Sequence, residues 1–84
     1  MITVNYFASI RETAKRQKES IELPVSVNSV EALIKLLAAR DENSKQALSG
    51  ETPVLVAVNQ TVVSRDHKLY GDEEIAFFPP MTGG

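Results

Sequence analysis

The last eight residues, Phe77, Phe78, Pro79, Pro80, Met81, Thr82, Gly83 and Gly84, are where residue type and spacing point to chemistry. In an extended strand neighbouring side chains alternate faces, so one phenylalanine of the pair belongs to a core and the other to a surface. The two prolines lack N–H donors and hold φ near ~−65°, so the chain leaves the sheet extended instead of adding another ladder strand. Six residues from Pro79 to Gly84, at ~3.1 to 3.5 Å each, span about 20 Å, enough to reach into the active site of another protein. Two glycines give the narrowest cross-section and free φ/ψ, so a closed tunnel admits them and a nucleophile can approach the carbonyl from either side. The reactive group this arrangement predicts is the carboxylate of Gly84. A Gly-Gly end can also be no more than a frayed terminus. The stiff Pro-Pro spacer and the aromatic pair before it favour the functional reading.

The other chemically capable residues lead nowhere comparable. Cysteine is absent, which removes disulfides, thiolate metal sites and thiol nucleophiles together. His67 follows Asp66 in a polar stretch with no second imidazole, so a turn residue is expected there and no metal site. Asp72, Glu73 and Glu74 resemble paired carboxylates but follow Gly71 in an expected solvated turn. No nucleophile and base lie at a spacing that suggests a hydrolase or transferase. Arg11, Lys15, Arg16 and Lys18 form a short basic cluster without interleaved aromatics, which reads as a solvated face. A formal charge of −2 argues against nucleic acid as a partner. The longest apolar run, Val54 to Val58, is far short of the ~20 residues of a membrane span. Met1 leads directly into a strand pattern without a signal-peptide profile, so a cytoplasmic location and no membrane partner are expected.

The chain's 84 residues suit one small domain, residues 1–78, followed by the extended tail, residues 79–84. Ile2, Val4 and Tyr6 alternate as one face of a strand. Ser9 to Lys18, with Ile10 and Ala14 as its apolar anchors, predicts a short helical turn and a loop. Ser20 to Val27 predicts a second, antiparallel strand with Ile21, Leu23, Val25 and Val27 on one face, and Pro24 places it at an edge. Val30, Leu33, Ile34 and Leu37 follow helical spacing and mark the principal helix, with Asn28 or Ser29 as N-cap. Ala47 and Leu48 suggest one further helical turn. Val54 to Val58 is apolar at both parities and reads as a central strand covered on two sides. Asn59 and Gln60 supply a hairpin turn before Thr61 to Val63, and Ile75 to Phe78 forms the last strand. The order predicts an α+β domain, a ubiquitin-like β-grasp with a helix across a mixed sheet and a flexible C-terminal tail. Val4, Ile21, Leu33, Leu37, Val56 and Phe77 are its expected shared core, and Phe78 is the expected outward aromatic.

Along its full length the sequence resembles the small sulfur-carrier subunits of molybdopterin synthase. The resemblance rests on Ile2 to Phe7 with Ala8, Arg11 and Glu12, on Val30-Glu31-Ala32-Leu33, on Ala57-Val58-Asn59-Gln60, on Gly71-Asp72-Glu73, and above all on Phe77 to Gly84. It implies a carrier that is not an enzyme alone. Gly84 would be adenylated by a ubiquitin-activating-type adenylyltransferase at the expense of ATP, with AMP transiently attached and no tightly bound cofactor. A sulfurtransferase or cysteine desulfurase would supply the sulfur of the thiocarboxylate. The tail, Phe78 to Gly83, would then enter the large synthase subunit of a heterotetramer and donate sulfur to cyclic pyranopterin monophosphate, forming the dithiolene of molybdopterin. Without a thiol, a sulfur carrier can hold sulfur only on an activated carboxyl, which agrees with this expectation. Met81 stands where that family commonly has a smaller residue. Two neighbouring readings remain open: a thiamine-pathway sulfur carrier, whose members generally lack the Phe-Phe-Pro-Pro stalk, and a ubiquitin-like modifier that joins lysines through the same carboxylate.

Overall fold

The computed structural model describes residues 1–51 and 53–80. Strand-period sequences give β1 (Ile2–Tyr6), β2 (Lys18–Ile21), β3 (Leu55–Val58), β4 (Thr61–Val63) and β5 (Glu74–Phe78), joined in one mixed sheet in the order β2-β1-β5-β3-β4. β1 and β5 run parallel, with Tyr6 opposite Phe77, and the other pairs are antiparallel. Helices α1 (Ala8–Ala14), α2 (Val30–Ala38) and α3 (Glu42–Ser49) complete the α+β domain. Among the described residues no helix is long and apolar enough to cross a membrane.

The core follows the two periodicities. Ile2, Val4 and Tyr6 from β1 and Ile75 and Phe77 from β5 point to one face, where Val30, Leu33, Ile34 and Leu37 of α2 meet them, all of them buried. Val56 joins this core, and Ile21 packs against it while only partly buried. Ser29 caps α2, its Oγ accepting the amide of Ala32, while the carbonyl of Asn28 accepts the amide of Leu69. Ser29, and not Asn28, is therefore the cap.

Three expectations need correction. β2 starts earlier and ends at Ile21: Pro24 cannot donate to a ladder, and its carbonyl accepts the Val27 amide at 2.9 Å to close a turn. Val25 is left fully exposed while Val27 turns into the core. The strand is nevertheless at the sheet's edge. Secondly, Asp41 to Ser49 holds a full helix, because Asp41 caps it through the Ser44 amide and Ala47 and Leu48 bury against the domain. Thirdly, β3 lies between β5 and β4 but is not covered on both sides, for Leu55 is 37% exposed. The β3–β4 turn is as expected. Asn59 and Gln60 both have positive φ, 49° and 70°, as a tight type I′ hairpin requires.

A polar cluster clamps the β2 edge to the helices. Arg40 donates to both carboxylate oxygens of Glu19 at 2.8 Å, Tyr6 donates its hydroxyl to the same group, and Arg16 bridges Glu19 and Asp41. Arg40 is the main reason that the Glu19 carboxyl is pushed down to about 2; burial opposes this, and the Tyr6 bond assists. Burial, then the Glu19 bond, pushes the Tyr6 phenol up. A depressed carboxylate stabilises the fold above its unfolded pKa and loses that contribution as pH falls through its folded value. Glu19→Gln is expected to lower unfolding free energy near neutral pH by about 1 to 2 kcal/mol, the carboxylate being partly solvent-screened. Urea unfolding at stepped pH should show the gap to wild type closing as pH falls from 4.5 toward about 2.

Candidate functional site

The tail root is built at the point where β5 ends. Phe77 points into the core with its ring 5.8 Å from that of Tyr6, and parity turns half-buried Phe78 to the opposite, outer face of the sheet. Pro79 and Pro80 follow, half-buried and outside any strand. Met81, Thr82, Gly83 and Gly84 lie outside the described residues.

Strand register gathers further apolar residues around Phe78. Phe7 donates its amide to the Phe77 carbonyl at 3.0 Å, continuing the parallel ladder one residue beyond β1 and bringing Phe7 beside Phe78. The chain then turns sharply into α1 through Ala8, whose φ of 51° lies in the left-handed region that disfavours a residue with a Cβ. On the other side of Phe78 its register partner is Leu55. One step down the strands, Lys18, Asn5, Ala76, Ala57 and Val62 form the next cross-sheet row. The outer face therefore carries an apolar patch of Phe7, Phe78, Leu55, Ala76 and Val62 around the buried Ala57, with Phe7 48% and Val62 62% exposed, running up to the two prolines. Phe7, Leu55 and Val62 did not stand out in the sequence as surface residues. The outward parity of Phe7 was a usable signal; Leu55 was hidden by reading β3 as covered on both faces.

The remaining candidates are not brought to the tail root. His67 is exposed, and its backbone carbonyl accepts the Val30 amide at 3.0 Å, a turn role as expected. The acidic triplet is divided. Asp72 is exposed and Glu74 opens β5, but Glu73 is buried, which corrects its expected solvated position. Its carboxylate accepts the amides of Tyr70, Gly71 and Asp72 at 2.7 to 3.1 Å, holding the turn in which Gly71 adopts a φ of 124°. Burial alone would raise the Glu73 pKa, but the combined amide bonds from Gly71, Tyr70, its own residue and Asp72 lower it. A carboxylate so fixed is a structural brace and not a proton carrier. Among the described residues no cluster of His, Cys, Asp or Glu could hold a metal. An open groove of about 870 Å³ runs between α2 and α3 over Ile34, Ala38 and Leu48, and no residue of the outer patch lines it.

The chain matches the ThiS family over residues 4–84. It is similar to the molybdopterin synthase sulfur carrier subunit of Escherichia coli (strain K12), 43% identical with all of both chains covered. The protein of the same name from Haemophilus influenzae is 36% identical, again over all of both chains. Among solved structures, a protein from Pyrococcus furiosus titled "Putative molybdopterin converting factor, subunit 1" superposes with a TM-score of 0.76 at 32% identity, covering 95% of this chain and 97% of that one. SAMP1 from Haloferax volcanii has a TM-score of 0.77 at 19% identity, covering 99% and 98%, a likeness of fold alone. The β-grasp architecture read from the order of elements is thus the architecture of these neighbours. A match to the ThiS model over nearly every residue, together with full-length alignment to named sulfur carrier subunits, means that this chain belongs to the ThiS family.

Proposed function

We propose that this protein is the sulfur carrier subunit of a molybdopterin synthase, carrying sulfur as a thiocarboxylate on Gly84. The observation that carries this reading is full-length similarity to subunits of that name, in a chain that has no cysteine and ends in Gly-Gly after a proline spacer. The Gly84 carboxylate attacks the α-phosphate of ATP on a ubiquitin-activating-type adenylyltransferase and pyrophosphate leaves; the terminal sulfur of a persulfide on a sulfurtransferase or cysteine desulfurase displaces AMP to give an acyl disulfide, and a thiol reductant cleaves its S–S bond to release the thiocarboxylate. The tail then enters the large synthase subunit and gives up its sulfur to cyclic pyranopterin monophosphate in the cytoplasm. ATP is consumed by the activating enzyme, and no cofactor stays on the carrier. Intact-mass measurement after incubation with ATP, the activating enzyme and a sulfur source tests this. A gain of about 16 Da, oxygen replaced by sulfur, is expected. Adducts on protein lysines without that gain would favour a ubiquitin-like modifier, and sulfur transfer to a thiamine precursor would favour a thiamine-pathway carrier.

The outer apolar patch supports docking on the large subunit, since exposed aromatics beside an inserted tail are typical anchors of an interface. Phe78→Ala is expected to weaken binding about 30-fold, ~2 kcal/mol, while costing the fold less than about 1 kcal/mol. Titration calorimetry and thermal unfolding on the same variant separate the two effects. A large drop in stability with unchanged affinity would assign Phe78 to the core instead.

A further inference from the structure

The charges of the chain are unevenly placed. The first twenty residues hold four cations and two carboxylates, while the rest hold five cations and nine carboxylates. The basic excess lies at the tail end of the sheet. The Arg11 amide donates to the Phe7 carbonyl at 3.2 Å, Lys15 follows one helical turn later with its amide on the Arg11 carbonyl at 2.9 Å, and Lys18 is the register partner of Asn5, at the margin of the outer patch. Arg16 is taken up by Glu19 and Asp41, but among the described residues Arg11, Lys15 and Lys18 are exposed and in no ion pair. Glu12 is the one carboxylate on α1. By contrast, Lys35 and Lys45 share their groove with Glu31, Asp41, Glu42 and Glu51, and Arg65 pairs with Glu31. Opposite charges mixed within a Debye length of ~8 to 10 Å cancel at a distance, whereas a pole of one sign does not.

From this arrangement we infer that Arg11, Lys15 and Lys18 form an electrostatic steering surface that aligns the tail root with an acidic rim on the large synthase subunit. The inference rests on the carrier function proposed above. Other anionic partners fit less well. Three phosphate contacts would give weak, strongly salt-dependent nucleic-acid binding. A folded protein that receives the tail must approach this end of the sheet, where Arg11 follows Phe7 by one helical turn, Lys15 follows Arg11 by another, and Lys18 lies in the neighbouring cross-sheet row. Steering of this kind speeds encounter and leaves the docked lifetime nearly unchanged.

The test is stopped-flow association of the intact carrier with the large synthase subunit of the same organism, at ~20 mM and ~500 mM NaCl. Arg11→Glu/Lys18→Glu, which spares the left-handed helix end at Lys15, and the triple variant that adds Lys15→Glu are compared with Lys35→Glu/Lys45→Glu in the groove between α2 and α3. The pole variants are expected to associate at least ~10-fold more slowly at low salt, to approach wild type at high salt, and to dissociate at the wild-type rate. Circular dichroism should show all variants folded. Wild-type association rates for the folded pole variants at low salt overturn the inference, as does an equal loss in the Lys35/Lys45 control, which would reduce the effect to net charge. In either case tight, Phe78-dependent binding leaves the carrier function standing; no binding by the wild-type chain overturns both.

Discussion

A protein lengthened by a single residue after Gly84 is expected to lose thiocarboxylate formation and sulfur transfer to background while unfolding at the wild-type temperature. On the proposed mechanism the added residue moves the terminal carboxylate by ~3.5 Å from the position Gly84 would present, and a displacement of about 1 Å from reacting geometry can cost ~100-fold. Deleting Gly84 draws the carboxyl back by the same step and should be equally inactive. Neither change touches the core, in which Phe77 is the last deeply buried side chain among the described residues. Intact mass after ATP-dependent sulfuration and a molybdopterin assay give the readouts. A verified extended protein that still supports molybdopterin formation at the normal rate would sink the proposal.

The largest effect on stability is expected at Leu33. It is fully buried at the centre of the α2 face, where the helix lies on the strands. Leu33→Ala removes buried methyl groups and leaves a cavity that a small core closes only in part, costing ~2 to 5 kcal/mol. That is a large share of the 5 to 15 kcal/mol typical of a domain, so the variant should show a markedly lower urea midpoint with an unchanged slope. An unchanged midpoint would contradict the burial described here. Because the cavity lies in the core while the patch lies on the outer face, the residual folded fraction should still bind the large subunit with near-normal affinity.

Local patterns in the chain determined much of this protein. The alternation of Ile2, Val4 and Tyr6 and the helical spacing of Val30, Leu33, Ile34 and Leu37 dictate which faces are buried, since period alone sets the direction of a side chain. Asn59-Gln60 as a hairpin turn and Pro79-Pro80 as the end of the sheet were legible for the same reason: each acts on its own φ. The chemistry proposed for the tail rests on residue type and order alone, since Met81 to Gly84 lie outside the described residues. Pro24 was legible only in part: it places β2 at an edge, but whether the strand reaches Val27 depends on the turn closed by the Val27 amide. Tertiary structure alone decided what depends on pairing between distant segments. Register placed Phe7 and Leu55 on either side of Phe78, and no local pattern fixes register between strands that are not joined by a tight turn. Burial of Glu73 followed from three amides converging in a folded turn, where sequence shows only an acidic triplet. Arg16, read with its neighbours as part of one solvated cluster, is separated from them because folding brings Glu19 and Asp41 within its reach and leaves Arg11, Lys15 and Lys18 to the solvent.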